Sequence, residues 1–67
     1  YGQYSNVVDD EGNVYVADGY IYVYNKNAEL INKIVMKERP QTLAIGGKDK
    51  DILFITTSNS IWGMKIK

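Results

Sequence analysis

The side chains in this sequence that could bind a metal ion or carry a proton are mostly carboxylates, and they fall in two short clusters. The first is the segment DDEGN at residues 9–13, and the second is DKD at residues 49–51. Carboxylates this close together could hold calcium, but neither cluster has the D-x-[DN]-x-[DN]-G spacing and the later glutamate of a calcium loop. Asp, Gly and Asn are also the residues that tight turns require. The sequence therefore favours a hairpin turn at 9–13 and a solvated loop at 49–51.

Two missing residue types exclude a serine triad and thiol chemistry within these residues. The sequence has no histidine and no cysteine, so its serines have no imidazole to activate them and thiol chemistry is absent. The segment GGKD at 46–49 lacks both the spacing and the following helix of a phosphate-binding loop. We expect no catalytic residue and no metal ligand in this chain, and we expect the chain alone to be inactive.

Three tyrosines at alternate positions form the most conspicuous aromatic pattern. Tyr20, Tyr22 and Tyr24 would lie on one face of a β-strand, because residues two apart on a strand share a face. Such a stripe could stack sugars or nucleobases, or it could pack against a second sheet. No cluster of basic residues flanks it, so packing between sheets is the favoured interpretation.

The bulk composition narrows the classes of partner. Eight basic and eight acidic side chains give a net charge of zero, so the clustered positive charge that nucleic-acid binding needs is lacking. No apolar run approaches the roughly 20 residues of a membrane-spanning helix. We predict neither a nucleic-acid partner nor a membrane association, and the compartment stays open. The chain begins at Tyr1 rather than at a methionine, and we expect it to be either processed or cut from a longer chain.

The elements that position these residues are all predicted to be β-strands. Apolar alternation bounded by turn residues recurs along the chain, and no segment has the helical period. Asp18-Gly19 is the dipeptide that a two-residue type I′ hairpin prefers. The predicted strands are 5–9, 13–17, 20–25, 30–37, 42–47, 52–57 and 60–67.

The strands form a repeat. The segment from Val7 to Tyr24 aligns with the segment from Leu43 to Lys65, placing residues 14–16 on 53–55 and Tyr22 on Trp62. A unit that recurs at about 40 residues is typical of a β-propeller blade. We therefore predict an all-β fold of propeller blades, with one four-stranded blade at 1–38 and three strands of a closing blade at 39–67.

Two blades leave apolar faces uncovered. We expect Ile21 and Val23 to fill the space between the two blades, and the three tyrosines to fill the space on the other side. Exposed sheet faces and unpaired edges promote aggregation. The expected partners are therefore the remaining propeller blades, from the same polypeptide or from other copies of the chain.

A series of short motifs runs through nearly the whole chain. They are D-x-x-G-N-[VL]-[YW]-V-A at 9–17, a D-x-x-G-type turn at 25–28, L-[IL]-x-x-I at 30–34, a P-E-R-P-like segment at 37–40, [FI]-G-G-x-D at 45–49 and L-[YF]-[IV]-T at 53–56. In this order they resemble the C-terminal part of the gluconolactonase, regucalcin and luciferin-regenerating enzyme family. The resemblance implies a six-bladed propeller that hydrolyses small lactones or esters. It also implies a divalent metal, calcium or zinc, held by a Glu, an Asn and an Asp from different blades.

The sequence departs from the family pattern at two positions. The family's metal-binding Asp precedes the Asp of D-x-x-G by five residues, and that position here is Tyr4, whose phenol is a poor ligand at neutral pH. Tyr4 is instead a candidate substrate contact in the central pocket. Ala28 stands where the second turn usually has Gly. If this position needs a positive φ, the alanine costs about 1 kcal/mol of stability, unless Asn27 adopts the left-handed conformation instead. The sequence thus leaves three functions open. The chain could be part of a metal-dependent lactonase whose main catalytic residues lie outside it, or a non-catalytic propeller that binds a ligand or partner. The third is a repeat-built scaffold of short chains that oligomerise into a ring.

Overall fold

The computed structural model describes residues 5–66. This part of the chain folds into seven β-strands without a helix, as the sequence predicts. The strands are β1 (Ser5–Val8), β2 (Val14–Asp18), β3 (Tyr20–Tyr24), β4 (Leu30–Ile34), β5 (Thr42–Gly46), β6 (Ile52–Thr56) and β7 (Ile61–Lys65). Within residues 5–66, no helix is long and apolar enough to cross a membrane.

The strands form two antiparallel sheets. The first sheet has the order β1-β2-β3-β4 and the second has the order β5-β6-β7. Neighbouring strands are also consecutive in sequence, so each connection is a hairpin and both sheets are meanders. β-branched and aromatic residues dominate the middle strands, which suits them to a pleated surface packed on both sides.

Strand β4 is shorter than predicted, because it ends at Ile34 rather than at Lys37. Ile34 pairs with Ile21, and β3 begins only one residue earlier, at Tyr20. Beyond that point β4 has no partner for its backbone groups. The chain leaves the sheet there, and Val35 is 69% exposed.

The hairpin between β2 and β3 also differs from the prediction. A two-residue loop of Asp18 and Gly19 would pair Ala17 with Tyr20, but Ala17 pairs with Ile21. A type I′ turn needs positive φ at both loop residues, and only Gly19 has it, with a φ of 76°. The one-residue difference decides which side chains share a face. It puts Ile21 on the face of Ala17 and leaves the tyrosines on the opposite face.

The core lies between the two sheets. Tyr15, Ala17, Ile21 and Val23 contribute from the first sheet, and Leu43, Leu53 and Ile55 from the second. Ile21 and Leu53 are fully buried. The prediction that Ile21 and Val23 fill the space between the sheets is confirmed.

The two sheets repeat each other and pack with opposite faces. Val16 pairs with Tyr22 in the first sheet, and Ile55 pairs with Trp62 in the second, as the predicted alignment requires. The alignment of Val7 with Leu43 is wrong by one position. Val7 pairs with Tyr15, and the residue equivalent to Tyr15 in the second sheet is Phe54. Phe54 pairs with Ala44, so Val7 is equivalent to Ala44 rather than to Leu43. We call the face that carries Tyr15, Ala17, Ile21 and Val23 the front face of the first sheet, and the opposite face its back face. By the same equivalence, the second sheet places its back face (Leu43, Leu53, Ile55, Trp62 and Met64) against the front face of the first.

Candidate functional site

The first strands of the two sheets, β1 and β5, meet at one end of the molecule. The hydroxyl oxygen of Ser5, at the start of β1, accepts the backbone N–H of Leu43 at 3.0 Å. Leu43 is the second residue of β5, so the two strands begin side by side. This hydrogen bond between the sheets is made by a side chain, because β1 and β5 belong to different ladders.

Further hydroxyl groups lie at the same end. The side chains of Thr42 and Thr56 hydrogen-bond to each other across β5 and β6. The N–H of Gln41 donates to the Thr56 carbonyl at 2.7 Å, which extends this pairing by one residue. Gln41 and Thr42 are exposed, so this end offers neutral hydrogen-bonding groups to a ligand.

Thr57 ties the connection between the sheets to the same end. It is buried, 8% exposed, and its hydroxyl donates to the carboxylate of Glu38. The same oxygen accepts the backbone N–H groups of Asn59 and Ser60 at 3.2 and 3.0 Å. Glu38 is therefore held by a contact 19 residues away in sequence and is half-buried.

Tyr4, the predicted substrate contact, lies outside the described residues. Ser5 follows it directly and is the first residue of β1. The prediction for Tyr4 therefore stays a prediction. Among the described residues, the hydroxyl-bearing side chains of Ser5, Thr42 and Thr56 lie at one end of the two sheets, and we call this group the hydroxyl end.

The opposite end of the molecule carries the turn at 9–13, where Asp9 organises the backbone. Its Oδ1 accepts the N–H groups of Glu11 and Asn13, both at 2.9 Å. Its Oδ2 accepts the side-chain amide of Asn13 at 3.1 Å and the Tyr15 hydroxyl at 3.0 Å. Gly12 supplies the positive φ, 86°, that closes the turn. The hairpin turn that the sequence favours here is what the structure contains.

The contacts within this turn shift two pKa values. Partial burial raises the pKa of the Asp9 carboxyl, but the hydrogen bonds that it accepts lower it by more, so the pKa lies below its ordinary value of 3.8. Burial, the hydrogen bond to Asp9 and the nearby negative charges raise the pKa of Tyr15 to about 12. The carboxylate and the neutral phenol therefore stabilise each other at neutral pH.

The turn at 25–29 repeats this geometry with different residues. The Oδ1 of Asn25 accepts the N–H groups of Asn27 and Glu29 at 2.9 and 3.0 Å, as Asp9 does two and four residues ahead. The Asn25 amide then donates to the Glu29 carboxylate at 2.9 Å. Ala28 stands at the position of Gly12 and has a φ of 65°. The expected left-handed conformation therefore falls on Ala28 itself and not on Asn27.

A metal ion of the kind that the resemblance implies finds no complete ligand set in the described residues. Between residues 5 and 66, no three side chains of Asp, Glu, His or Cys come together in a group that could hold one. The Asp9 carboxylate already accepts four hydrogen bonds inside its turn. At the hydroxyl end the side chains are neutral, and neutral hydroxyls are weaker ligands than carboxylates for calcium or zinc.

The tyrosines lie on the back face of the first sheet, away from the second sheet. Tyr20 and Tyr22 make an edge-to-face pair with ring centroids 6.2 Å apart. The Lys33 ammonium lies 4.2 Å from the centroid of the Tyr20 ring, a favourable cation–π distance. Tyr20 is 40% exposed. The packing of this face against a further sheet stays a prediction.

An apolar cleft of about 420 Å³ opens between the end of β4 and strand β7. Trp62 and Met64 form one wall and are 43% and 37% exposed. Ile34 and Met36 lie on the other side, with Lys37 beside them. This cleft could not be predicted from the sequence, because its walls come from two sheets and no local sequence pattern specifies how the sheets are placed relative to each other.

Comparison with known families decides the identity of the fold. Residues 5–59 match the SMP-30/Gluconolactonase/LRE-like region, which is most of the chain and includes all of the first sheet and strands β5 and β6 of the second. The chain belongs to this family. Among curated proteins and among solved structures, no match to the chain was found. The suspected family is confirmed, and the two sheets are blades of a gluconolactonase-like β-propeller.

Besides the cleft, two features of the molecule were not anticipated from the sequence. The first is the bond between Thr57 and Glu38, for which the only local signal is the Thr-Ser-Asn-Ser turn. The second is the hydroxyl end, whose residues are far apart in sequence. Isolated Ser and Thr residues in strands give no signal by themselves, because they are frequent on any exposed sheet.

Proposed function

We propose that this chain forms part of a gluconolactonase-like hydrolase of small lactones or esters, and that the main catalytic residues lie outside these 67 residues. The observation that carries the proposal is the family match over residues 5–59. In this proposal the chain contributes two blades and one polar wall of the central pocket. The divalent metal, when bound, would polarise the carbonyl or activate a water molecule, and its ligands would come mostly from other blades.

The role of this chain's own residues is binding rather than bond cleavage. Ser5, Thr42 and Gln41 lie at the end where β1 and β5 begin. Neutral hydroxyl and amide groups there would hydrogen-bond the hydroxyls of a polar substrate and orient it. Because Glu38 is tied to Thr57, it would hold the connecting segment in place beside that wall.

A second candidate function is a non-catalytic propeller that binds a ligand or partner at the mouth of its channel. The observation that favours it is the identity of residue 4, a tyrosine where the family pattern has its metal-binding Asp. A phenol with an ordinary pKa of about 10 stays protonated at neutral pH and is a weak metal ligand. An aromatic ring at that position would suit stacking on a sugar ring instead.

Two measurements on the complete propeller separate the candidates. The hydrolase proposal expects bound calcium or zinc by elemental analysis, and lactone hydrolysis that stops when a chelator removes the metal. The binding proposal expects ligand binding by calorimetry without turnover. A complete propeller that neither binds metal nor hydrolyses any of a panel of lactones and esters would rule out the first.

The variant Tyr4→Asp tests the place of this residue directly. The family pattern predicts a gain in metal affinity and in lactone hydrolysis, because a carboxylate replaces a neutral phenol. Tyr4→Phe is the matched control and should gain neither. Equal behaviour of the two variants would show that residue 4 does not face the metal position.

A further inference from the structure

The hairpin tip between β2 and β3 carries the one aspartate in this sequence that precedes a glycine. Asp18 is the last residue of β2, Gly19 follows it, and Tyr20 begins β3. No asparagine precedes a glycine anywhere in the 67 residues. An Asp-Gly pair can react within the chain itself, because a glycine nitrogen without a neighbouring Cβ can reach the carboxyl carbon of the preceding side chain.

Both reacting groups at the tip are free of other contacts. Asp18 is exposed, and within residues 5–66 its carboxylate makes no hydrogen bond and no ion pair. The N–H of Gly19 donates no hydrogen bond to any described residue. A Cβ built on Gly19 would meet nothing within 4 Å, so the space around the tip is open.

Attack on the carboxyl carbon requires the backbone at residues 18 and 19 to rotate out of its present conformation. Asp18 pairs with Tyr20 at the very end of the β2–β3 ladder. End pairs of a ladder open locally at a small fraction of the free energy of global unfolding. Gly19, which has a φ of 76°, reaches further conformations without a steric cost. The reaction therefore does not require the core to unfold.

Hydrogen bonds protect two other sites at which the same ring closure could occur. An asparagine side chain is also attacked by the following nitrogen, with ammonia as the leaving group. The Ala28 nitrogen, which follows Asn27, donates to a backbone carbonyl at 2.9 Å. The Ser60 nitrogen, which follows Asn59, donates to the Thr57 hydroxyl at 3.0 Å. A nitrogen held in this way is not available for attack, whereas the nitrogen at the hairpin tip is.

We propose that Asp18 is a modification site at which the main chain isomerises spontaneously to isoaspartate. The Gly19 nitrogen attacks Cγ of the protonated Asp18 side chain. A C–N bond forms, and the amide proton and the carboxyl hydroxyl leave together as water. A second water opens the resulting succinimide at its main-chain carbonyl, so the chain continues through Cβ and Cγ and the former main-chain carbonyl becomes a free carboxylate. Water is lost once and gained once, and no oxidant, reductant or cofactor takes part.

Isoaspartate lengthens the shortest connection in the first sheet by one methylene group. The pair of Ala17 with Ile21 lies directly behind this connection, and Ile21 is fully buried between the sheets. A longer main chain at the tip disturbs the register that buries Ile21. We therefore expect the isomerised protein to unfold at a lower urea concentration than the fresh protein.

Incubation of the complete propeller in warm, near-neutral buffer, with and without urea, tests the proposal. After digestion, an endoproteinase that cleaves before aspartate but not before isoaspartate reports the state of residue 18. Mass spectrometry detects the succinimide as the loss of one water. In the folded protein we expect isoaspartate to accumulate at residue 18 while Asn27 and Asn59 stay intact. In urea we expect all three sites to react, because the protecting hydrogen bonds are gone.

Asp18→Glu is the matched variant, because it keeps the charge at an exposed position but would have to close a larger ring, which forms far more slowly. It should show no isomerisation at residue 18 and no fall in the urea midpoint with time. The absence of isoaspartate at residue 18 in the folded protein would overturn the proposal, whatever happens in urea. Reaction of Asn27 or Asn59 at the same rate in the folded protein, or an equal fall in the urea midpoint of Asp18→Glu, would also overturn it.

Discussion

Ala28→Gly is expected to stabilise the protein, although it removes a methyl group. Ala28 has a φ of 65°, a conformation that costs an L-residue with a Cβ about 1–2 kcal/mol. Glycine adopts it without that cost, but gains freedom in the unfolded chain worth about 0.4–1 kcal/mol. The net expectation is a gain of about 0.7 kcal/mol in the free energy of unfolding. The Asn25 hydrogen bonds that close the turn involve the backbone of Asn27 and Glu29 and remain intact.

Urea denaturation followed by Trp62 fluorescence measures this change. With a slope near 1 kcal/mol per molar urea for a chain of this size, the midpoint should rise by about 0.7 M. Ala44→Gly is the matched control, since Ala44 is an exposed strand residue whose φ is not positive. There the same substitution should lower stability by about 0.5–1 kcal/mol. Gly12→Ala is the reciprocal change and should also destabilise, because its φ is 86° and a new Cβ would lie 3.3 Å from the Lys26 Cβ.

The reasoning fails if Ala28→Gly and Ala44→Gly lower the midpoint equally. That result would mean that the loss of chain stiffness in the unfolded state outweighs the left-handed strain at position 28. A stabilised Gly12→Ala variant would contradict the same argument from the other direction.

Three further predictions concern partly buried hydrogen bonds. Asp9→Asn should lower the free energy of unfolding by about 1–3 kcal/mol at neutral pH, because an amide nitrogen cannot accept the hydrogen bonds that Oδ2 receives. The pKa of Asp9 is lowered on folding, so the stabilisation that its carboxylate provides is present above pH 4 and is lost as the pH falls further. Acid titration of the Asp9→Asn variant should lack this loss of stability. Tyr15→Phe should remove a loss of stability at alkaline pH, because the pKa of Tyr15 is raised from 10.0 to about 12 on folding. The neutral phenol therefore contributes fully to stability below pH 10, and this contribution disappears as the pH rises toward 12. If circular dichroism against pH shows identical alkaline transitions for the native protein and the variant, the idea is wrong. Thr57→Val keeps the side-chain shape but leaves Glu38 and two backbone N–H groups without their partner. Urea denaturation should show a free energy of unfolding lower by about 1–3 kcal/mol. The control Ser58→Ala, at an exposed site, should lower it by less than about 0.5 kcal/mol.

The strands and their faces could be predicted because local chemistry specifies them. Alternating apolar residues place Ile21 and Val23 on one face and the tyrosines on the other, and the structure agrees. The length of the hairpin loop at Gly19 was not predicted correctly, because Asp-Gly fits more than one loop length. The buried residues that pack against β3 determine which register forms. Burial of Ile21 against the second sheet outweighs the preference of the dipeptide.

The candidate site was less predictable than the fold. Ser5 and Leu43 are 38 residues apart in sequence, and their contact depends on how two sheets stack. The Asp9 turn was recognisable from its residue types, but the bond from Tyr15 to its carboxylate required the pairing of β1 with β2. Local sequence patterns therefore predict the end of the molecule that carries the turns at 9–13 and 25–29 better than they predict the hydroxyl end.

The two ends of the blades differ in how far their hydrogen bonds reach along the chain. The turns at 9–13 and 25–29 are closed almost entirely by their own residues, whereas Ser5, Glu38 and Thr57 join segments that are distant in sequence. Insertions and grafted epitopes should therefore be tolerated at the tips of the self-closed turns, at 10–11 and 26–27. Longer loops at the other end would break these hydrogen bonds between distant segments. We therefore expect loop length to vary on one side of the propeller only.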